Sequence, residues 1–166
     1  MNIVTSHRFL GGFIWNENDI NDWISKKVDV WVKSVKKLSA VAQQEPQSAY
    51  IAFTKSLQCE WTFIQRVMLD TQYHFPPLRV AIQQSFFPSL FGSQVDSLEA
   101  DLMCRPSRYG GIGILDPVKT AFSQFTVSNE ATTSLSEVIC QGTQLDKYSW
   151  ITKRRCIKKE IGIGEK

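Results

Sequence analysis

The sequence contains no adjacent Asp-Asp pair, and its eight aspartates, at 19, 22, 29, 70, 96, 101, 116 and 146, are scattered singly. Two-metal polymerase and nuclease centres need carboxylates that converge on both ions, so no such centre and no metal cofactor is expected. Cys59, Cys104, Cys140 and Cys156 lie far apart with no Cys-x-x-Cys pair, and His7 and His74 are the only histidines. That leaves no zinc signature, and the thiols read as reduced packing residues. Neither histidine accompanies a nucleophile elbow, so Ser or Cys nucleophilic catalysis has no evident base. No uninterrupted apolar run approaches the roughly 20 residues a bilayer requires, and no membrane partner is expected. The opening Met-Asn-Ile-Val-Thr-Ser lacks the basic and then apolar profile of a leader. The expected location is intracellular, with nucleus or cytoplasm undecided.

What is present is a chain of 166 residues, 43% hydrophobic and 11% aromatic, enough for a real core. The net charge of +3 is unevenly placed. Residues 147–166 carry seven Lys/Arg against two Glu, a local +5, while residues 1–146 carry twelve against fourteen acids, a local −2. Basic character is therefore a property of the tail, and the overall charge is weak support for nucleic-acid binding.

The stretch HRFLGGFIW, from His7 to Trp15, sets Gly11 and Gly12 between large apolar residues. This suits two short strands meeting at a turn or bulge. From Asp19, Ile20, Trp23, Ile24, Val28, Trp31, Val35, Leu38 and Ala42 recur every three or four residues, one face of a helix of about 25 residues. Glu45-Pro46 breaks that helix and opens a second, striped by Tyr50, Phe53, Leu57, Trp61, Ile64 and Met68. Two such helices joined by a few residues should pack as an antiparallel hairpin. A third helix is expected from Pro77 to about Phe87, stopping near Pro88, and a short fourth is marked by Val95, Leu98 and Leu102. RPSRYGGIGILDP (105–117) reads as a loop or tight hairpin, after which Asp116 resembles an N-cap with Pro117 at the first helical position. A Ser/Asn/Thr stretch should separate that helix from one around Leu135 to Ile139. The expected fold class is mainly α: a short N-terminal β-hairpin (1–15), a helical bundle with an antiparallel long-helix pair (16–141), and a basic C-terminal tail (142–166).

Lys26, Lys33 and Lys37 lie seven and four residues apart, together on the first long helix and opposite its apolar stripe. Such a row can follow phosphates, and it can equally be a solvated helix face. KRRCIKK in the tail is open to the same two readings, or to a nuclear-import-like segment. GGIG at 110–113 lacks the lysine and Ser/Thr of a phosphate loop.

Four phrases in order, HRFLGGFI, EPQSAYIAFTKSLQCEWTFIQRV, FFPSLFG and RPSRYGGIGILDP, resemble the region that follows the palm in non-LTR retrotransposon reverse transcriptases. The resemblance covers about residues 5–140. It implies that Phe9, Leu10, Gly11 and Gly12 form the hairpin holding the primer end, and that the helices from Asp19 onward form a thumb gripping template and primer by their backbones. Arg105, Pro106, Arg108, Gly110, Gly111 and Gly113 match a later loop. The parent polymerase uses magnesium on palm aspartates that have no counterpart here. The resemblance thus implies a non-catalytic thumb fragment, with an RNA–DNA duplex as partner through its phosphates and Gly11, Gly12, Lys26, Lys33, Lys37, Arg105 and Arg108 as contacts. The alternative is a helical scaffold that meets other proteins through exposed apolar surface. An independent enzyme would need convergent titratable groups, which are hard to find in this sequence.

Overall fold

A computed structural model describes residues 7–9, 12–14 and 17–160 of the chain, with side chains from 19 to 157. The expected N-terminal β-hairpin over residues 1–15 is corrected in extent: the fold is 81% helical, and strand among the described residues amounts to one short pairing. Among the described residues, strand pairing is confined to the backbones of His7–Phe9 (β1) and Gly12–Ile14 (β2), antiparallel with Arg8 opposite Phe13. Three residues a side, with no third strand to cover a face, do not make an independent element.

Helix α1 runs from Glu17 to Ala42 and buries the stripe Ile24, Val28, Trp31, Val35 and Ala42. Its apolar positions advance by four and three in alternation, close to 3.6 per turn, so the stripe stays on one side of a regular helix. The next rod behaves differently. Ala49, Phe53, Leu57 and Trp61 are all buried and all four apart. Each step of four overshoots an α-turn by about 40°, so three steps would carry the stripe a third of the way round the helix.

The chain absorbs that drift with a wider turn. Helix α2 (Pro46–Ala52) passes into a π-helical segment, Phe53–Leu57, before α3 (Gln58–Val67). Gln58 N–H donates to the Phe53 carbonyl five residues back. The same spacing, Leu78, Ile82, Phe86, recurs in the following rod, and so does the same device: α4 (Pro76–Ala81), a π segment Ile82–Phe86, and α5 (Phe87–Phe91). The expected stop near Pro88 is therefore displaced to Phe91, because the π segment stands where a proline in regular α-helix would clash with the preceding turn.

The first helix meets the second rod along its length, with Ala42 and Ala49 buried near the connection and Trp31 against Glu60 and Trp61 farther on. Helix α1 also lies against the α4–α5 rod, and α3 makes its more extensive contact with α7 (Pro117–Gln141). Aromatic rings fill the junction: Phe53 stacks on Phe86 at 4.4 Å, and Trp61 stands edge-on to Phe53 at 5.5 Å and to Trp31 at 6.3 Å. Trp31 Nε1 donates to Glu60 Oε2 at 2.8 Å, which satisfies its polar edge.

Helix α6 (Ser97–Met103) is set by its start rather than by its stripe. Asp96 accepts from Leu98 and Glu99 N–H while the Glu99 carboxylate accepts from Asp96 N–H, a reciprocal capping box. Leu98 and Leu102 face solvent, and Ala100 is the buried residue. Helix α7 begins at the expected Asp116 cap but continues unbroken through the Ser/Asn/Thr stretch. There Thr126, Thr133 and Ser136 donate to carbonyls four residues back, at 3.0, 2.8 and 3.2 Å, instead of competing with the helix. Helix α8 (Lys147–Glu160) packs on α7, with Trp150 Nε1 donating to the Ala131 carbonyl at 2.9 Å and Ile157 buried.

Candidate nucleic-acid interface

The lysine row stands where its spacing places it. Lys26, Lys33 and Lys37 are exposed on the side of α1 away from the core. Lys26 donates to Asp22 Oδ2 at 2.6 Å, and Asp29 sits one turn ahead of Lys33. Counting Lys36 as well, the face carries four lysines and the three aspartates Asp19, Asp22 and Asp29, so its net charge is +1 and the excess lies in its C-terminal half. There Lys33, Lys36 and Lys37 have no ion-pair partner among the described residues. A rise of about 6 Å separates Lys33 from Lys37.

Arg105 and Arg108 belong to a different part of the molecule. Both are exposed on the loop that joins α6 to α7, and the Arg108 guanidinium lies 4.8 Å from the centroid of the Tyr109 ring. This loop is fastened rather than loose. Tyr50 Oη donates to the Ile112 carbonyl at 2.6 Å, Leu115 N–H donates to Gln58 Oε1 at 2.9 Å, and Ile112 N–H donates to the Met103 carbonyl at 3.0 Å. Gly111 is required because a Cβ there would meet the Arg105 carbonyl oxygen at 2.0 Å. Beside the loop runs an apolar groove of about 560 Å³, walled by Pro46, Tyr50, Ile51, Leu90, Phe91 and Ile112. The structure thus brings the three lysines together on α1 and the two arginines together on the loop, each set on its own element. Gly11 lies outside the described residues, and Gly12 is described only as the backbone partner of Phe9.

The titratable groups of the interior are committed to holding helices. Asp116 caps α7 through Val118 and Lys119 N–H at 2.9 and 3.2 Å, and its other oxygen forms an ion pair with the Arg79 guanidinium, 3.1 Å from Nε. Arg79 and Lys119 both reach Asp101, at 3.5 and 2.7 Å. The hydrogen bond from Lys119, aided by the surrounding positive charge, holds the Asp101 carboxyl below its ordinary value. Burial beside this network pushes the Cys104 thiol up to about 12, so it is not a nucleophile near neutrality. Asp146 accepts from Tyr148 and Ser149 N–H at the start of α8. Among the described residues no three His, Cys, Asp or Glu side chains converge.

His74 clamps α1 from the turn before α4. Its Nε2 meets Asn21 Oδ1 at 3.0 Å and its Nδ1 meets Ser25 Oγ at 3.3 Å. With Asn21 Oδ1 as acceptor, the ring proton is assigned to Nε2, and Nδ1 accepts from the hydroxyl. Partial burial lowers the pKa of the ring, favouring the neutral form.

Arg66 on α3, which pattern reading passed over, and Arg154 on α8, part of the KRRCIKK run, line one cleft with α7. The i, i+4 spacing of Trp150 and Arg154 was a signal for half of it. Among the described residues no helix is long and apolar enough to cross a membrane. No protein-family model matches this chain, and neither the curated proteins nor the solved structures contain a match to it.

Proposed function

We propose that this chain is a non-catalytic helical domain that grips the backbone of an RNA–DNA duplex, in the manner of the thumb that follows the palm in non-LTR reverse transcriptases. The observation that carries the reading is the carboxylate-free C-terminal half of the α1 face, where Lys33 and Lys37 project from a helix whose opposite side is anchored in the core. The ordered phrases supply the duplex as the partner. With few phosphate contacts, affinity is weak, independent of sequence and steeply dependent on salt.

Fluorescence anisotropy with a labelled RNA–DNA duplex at low salt tests it. The variant Lys26→Gln/Lys33→Gln/Lys37→Gln should reduce the slope of log affinity against log salt by about 2–3. Unchanged affinity in that variant, or no binding at high micromolar protein, refutes the proposal.

The groove beside Ile112 favours a second reading, a scaffold that seats another protein, because Ile51 and Phe91 remain 57% and 45% exposed there. Self-association in sedimentation velocity that is abolished by Phe91→Asp and indifferent to added duplex would select it.

A further inference from the structure

The cleft between α3, α7 and α8 has a volume of about 490 Å³ and no carboxylate in its lining. Its charged groups are the guanidiniums of Arg66 and Arg154, and neither has an ion-pair partner among the described residues. Two like charges facing one concave space repel each other, and a bound anion relieves that repulsion.

Arg154 is positioned in advance. Trp150 is fixed by its bond to the Ala131 carbonyl, and the Arg154 guanidinium rests over its ring, 5.4 Å from the centroid. Stacking of this kind orients a guanidinium without neutralising it, and leaves its N–H edge available to an oxyanion. Helix α7 adds Gln124 and Ser128, one turn apart on the same wall, and neither side chain makes another hydrogen bond among the described residues. The Thr132 hydroxyl, by contrast, is spent on the Ser128 carbonyl at 2.9 Å.

We infer that this cleft binds the phosphate of a phosphorylated ligand of about mononucleotide size, with Arg66 and Arg154 on its oxygens and Gln124 and Ser128 as neutral donors. Two guanidinium forks and two neutral donors offer more than the two oxygens of a carboxylate can use, and match the three or four of a phosphate. The volume exceeds that of the anion alone and leaves room for a sugar or base. The inference does not rest on duplex binding by α1.

The test is a proton–nitrogen NMR titration of the full chain with inorganic phosphate, adenosine monophosphate and adenosine. The readout is the indole N–H of Trp150, identified as the resonance missing from Trp150→Phe. Phosphate and the monophosphate should shift it and adenosine should not. Arg66→Gln and Arg154→Gln, both at exposed positions, should each weaken binding about tenfold, whereas Arg105→Gln/Arg108→Gln and the α1 lysine variant leave it unchanged. An octanucleotide arm decides the source of the phosphate: tighter binding than the monophosphate through the same two arginines assigns a phosphodiester, and weaker binding assigns a terminal phosphate. No shift at about 10 mM phosphate or monophosphate, an equal response to adenosine, or indifference to both arginine variants overturns the inference.

Discussion

Gly111→Ala is expected to be far more damaging than a glycine substitution a single residue away. The Cβ of an alanine at 111 would lie 2.0 Å from the Arg105 carbonyl oxygen, 2.5 Å from the Arg105 carbonyl carbon and 2.6 Å from the Leu102 carbonyl oxygen. All three are backbone atoms, so no side-chain rotation relieves the overlap. The loop must move, at about 1–3 kcal/mol for overpacking. Moving it pulls Ile112 away from Tyr50 Oη and from the Met103 carbonyl, at about 1 kcal/mol for each hydrogen bond. The expected loss is about 3–5 kcal/mol, a fall in Tm of roughly 10 °C for a domain of this size. Gly110→Ala is the control: its φ of 81° disfavours a side chain, yet nothing lies within 4 Å of the added methyl. That variant should lose only about 1–2 kcal/mol. Urea unfolding followed by circular dichroism at 222 nm separates the two, with the denaturant slope unchanged in both. If Gly111→Ala is no worse than Gly110→Ala, the loop is not locked as described and the reasoning fails.

Cys104, its thiol pushed up to about 12, should stay unmodified by iodoacetamide at pH 8 in the folded chain while the exposed Cys59, Cys140 and Cys156 react, as intact-mass spectrometry would count; four additions at one rate refute the burial. Asp116→Ala should cost about 2–4 kcal/mol in urea unfolding, because it removes the α7 cap and strands the half-buried Arg79. Asp116→Asn keeps an acceptor for the cap and should cost less; equal losses would show that the cap contributes nothing, and no loss in Asp116→Asn would show that the ion pair contributes nothing. His74 has its pKa lowered in the fold, so the unfolded chain binds the proton more readily, and stability should fall as pH drops through the ordinary 6.5 and level off below the folded value. Asp101, whose pKa is also lowered, adds a loss that begins only as pH falls below its ordinary 3.8. His74→Gln should flatten the first of these declines and leave the second.

Local periodicity made α1 legible, because its apolar positions follow 3.6 residues per turn and its partners lie on one side. The two π segments were written just as plainly in unbroken steps of four, but a stripe counted as helical or not helical does not register the difference. Helix α7 was misread at its Ser/Asn/Thr stretch because such residues favour turns only when they lack a better acceptor. Here the carbonyls one turn back accept, and α8 covers the helix through Trp150. The Arg79, Asp101, Asp116 and Lys119 network joins three helices far apart in the chain, and no local pattern announces such a partnership. The Arg66 and Arg154 cleft was invisible for the same reason: two arginines on separate helices become neighbours only through the packing of α7.

Three of the four phrases that carry the family resemblance turn out to be joined to one another. EPQSAYIAFTKSLQCEWTFIQRV is the α2–π–α3 rod, FFPSLFG is α5 with the residue on either side of it, and RPSRYGGIGILDP is the loop with the start of α7. Tyr50 and Gln58 of the first hold Ile112 and Leu115 of the last, Gln65 Nε2 donates to the Pro117 carbonyl at 2.7 Å, and Phe53 stacks on Phe86. Gln65 is fully buried, so losing that acceptor would leave its amide unpaired at about 1–3 kcal/mol. Spacing and residue type along these phrases are therefore what this helical fold itself demands, whatever it binds. The resemblance consequently bears on architecture more directly than on activity. Activity has to be decided where the fold places no such demand, on the exposed lysines of α1 and the two arginines of the α3–α7–α8 cleft.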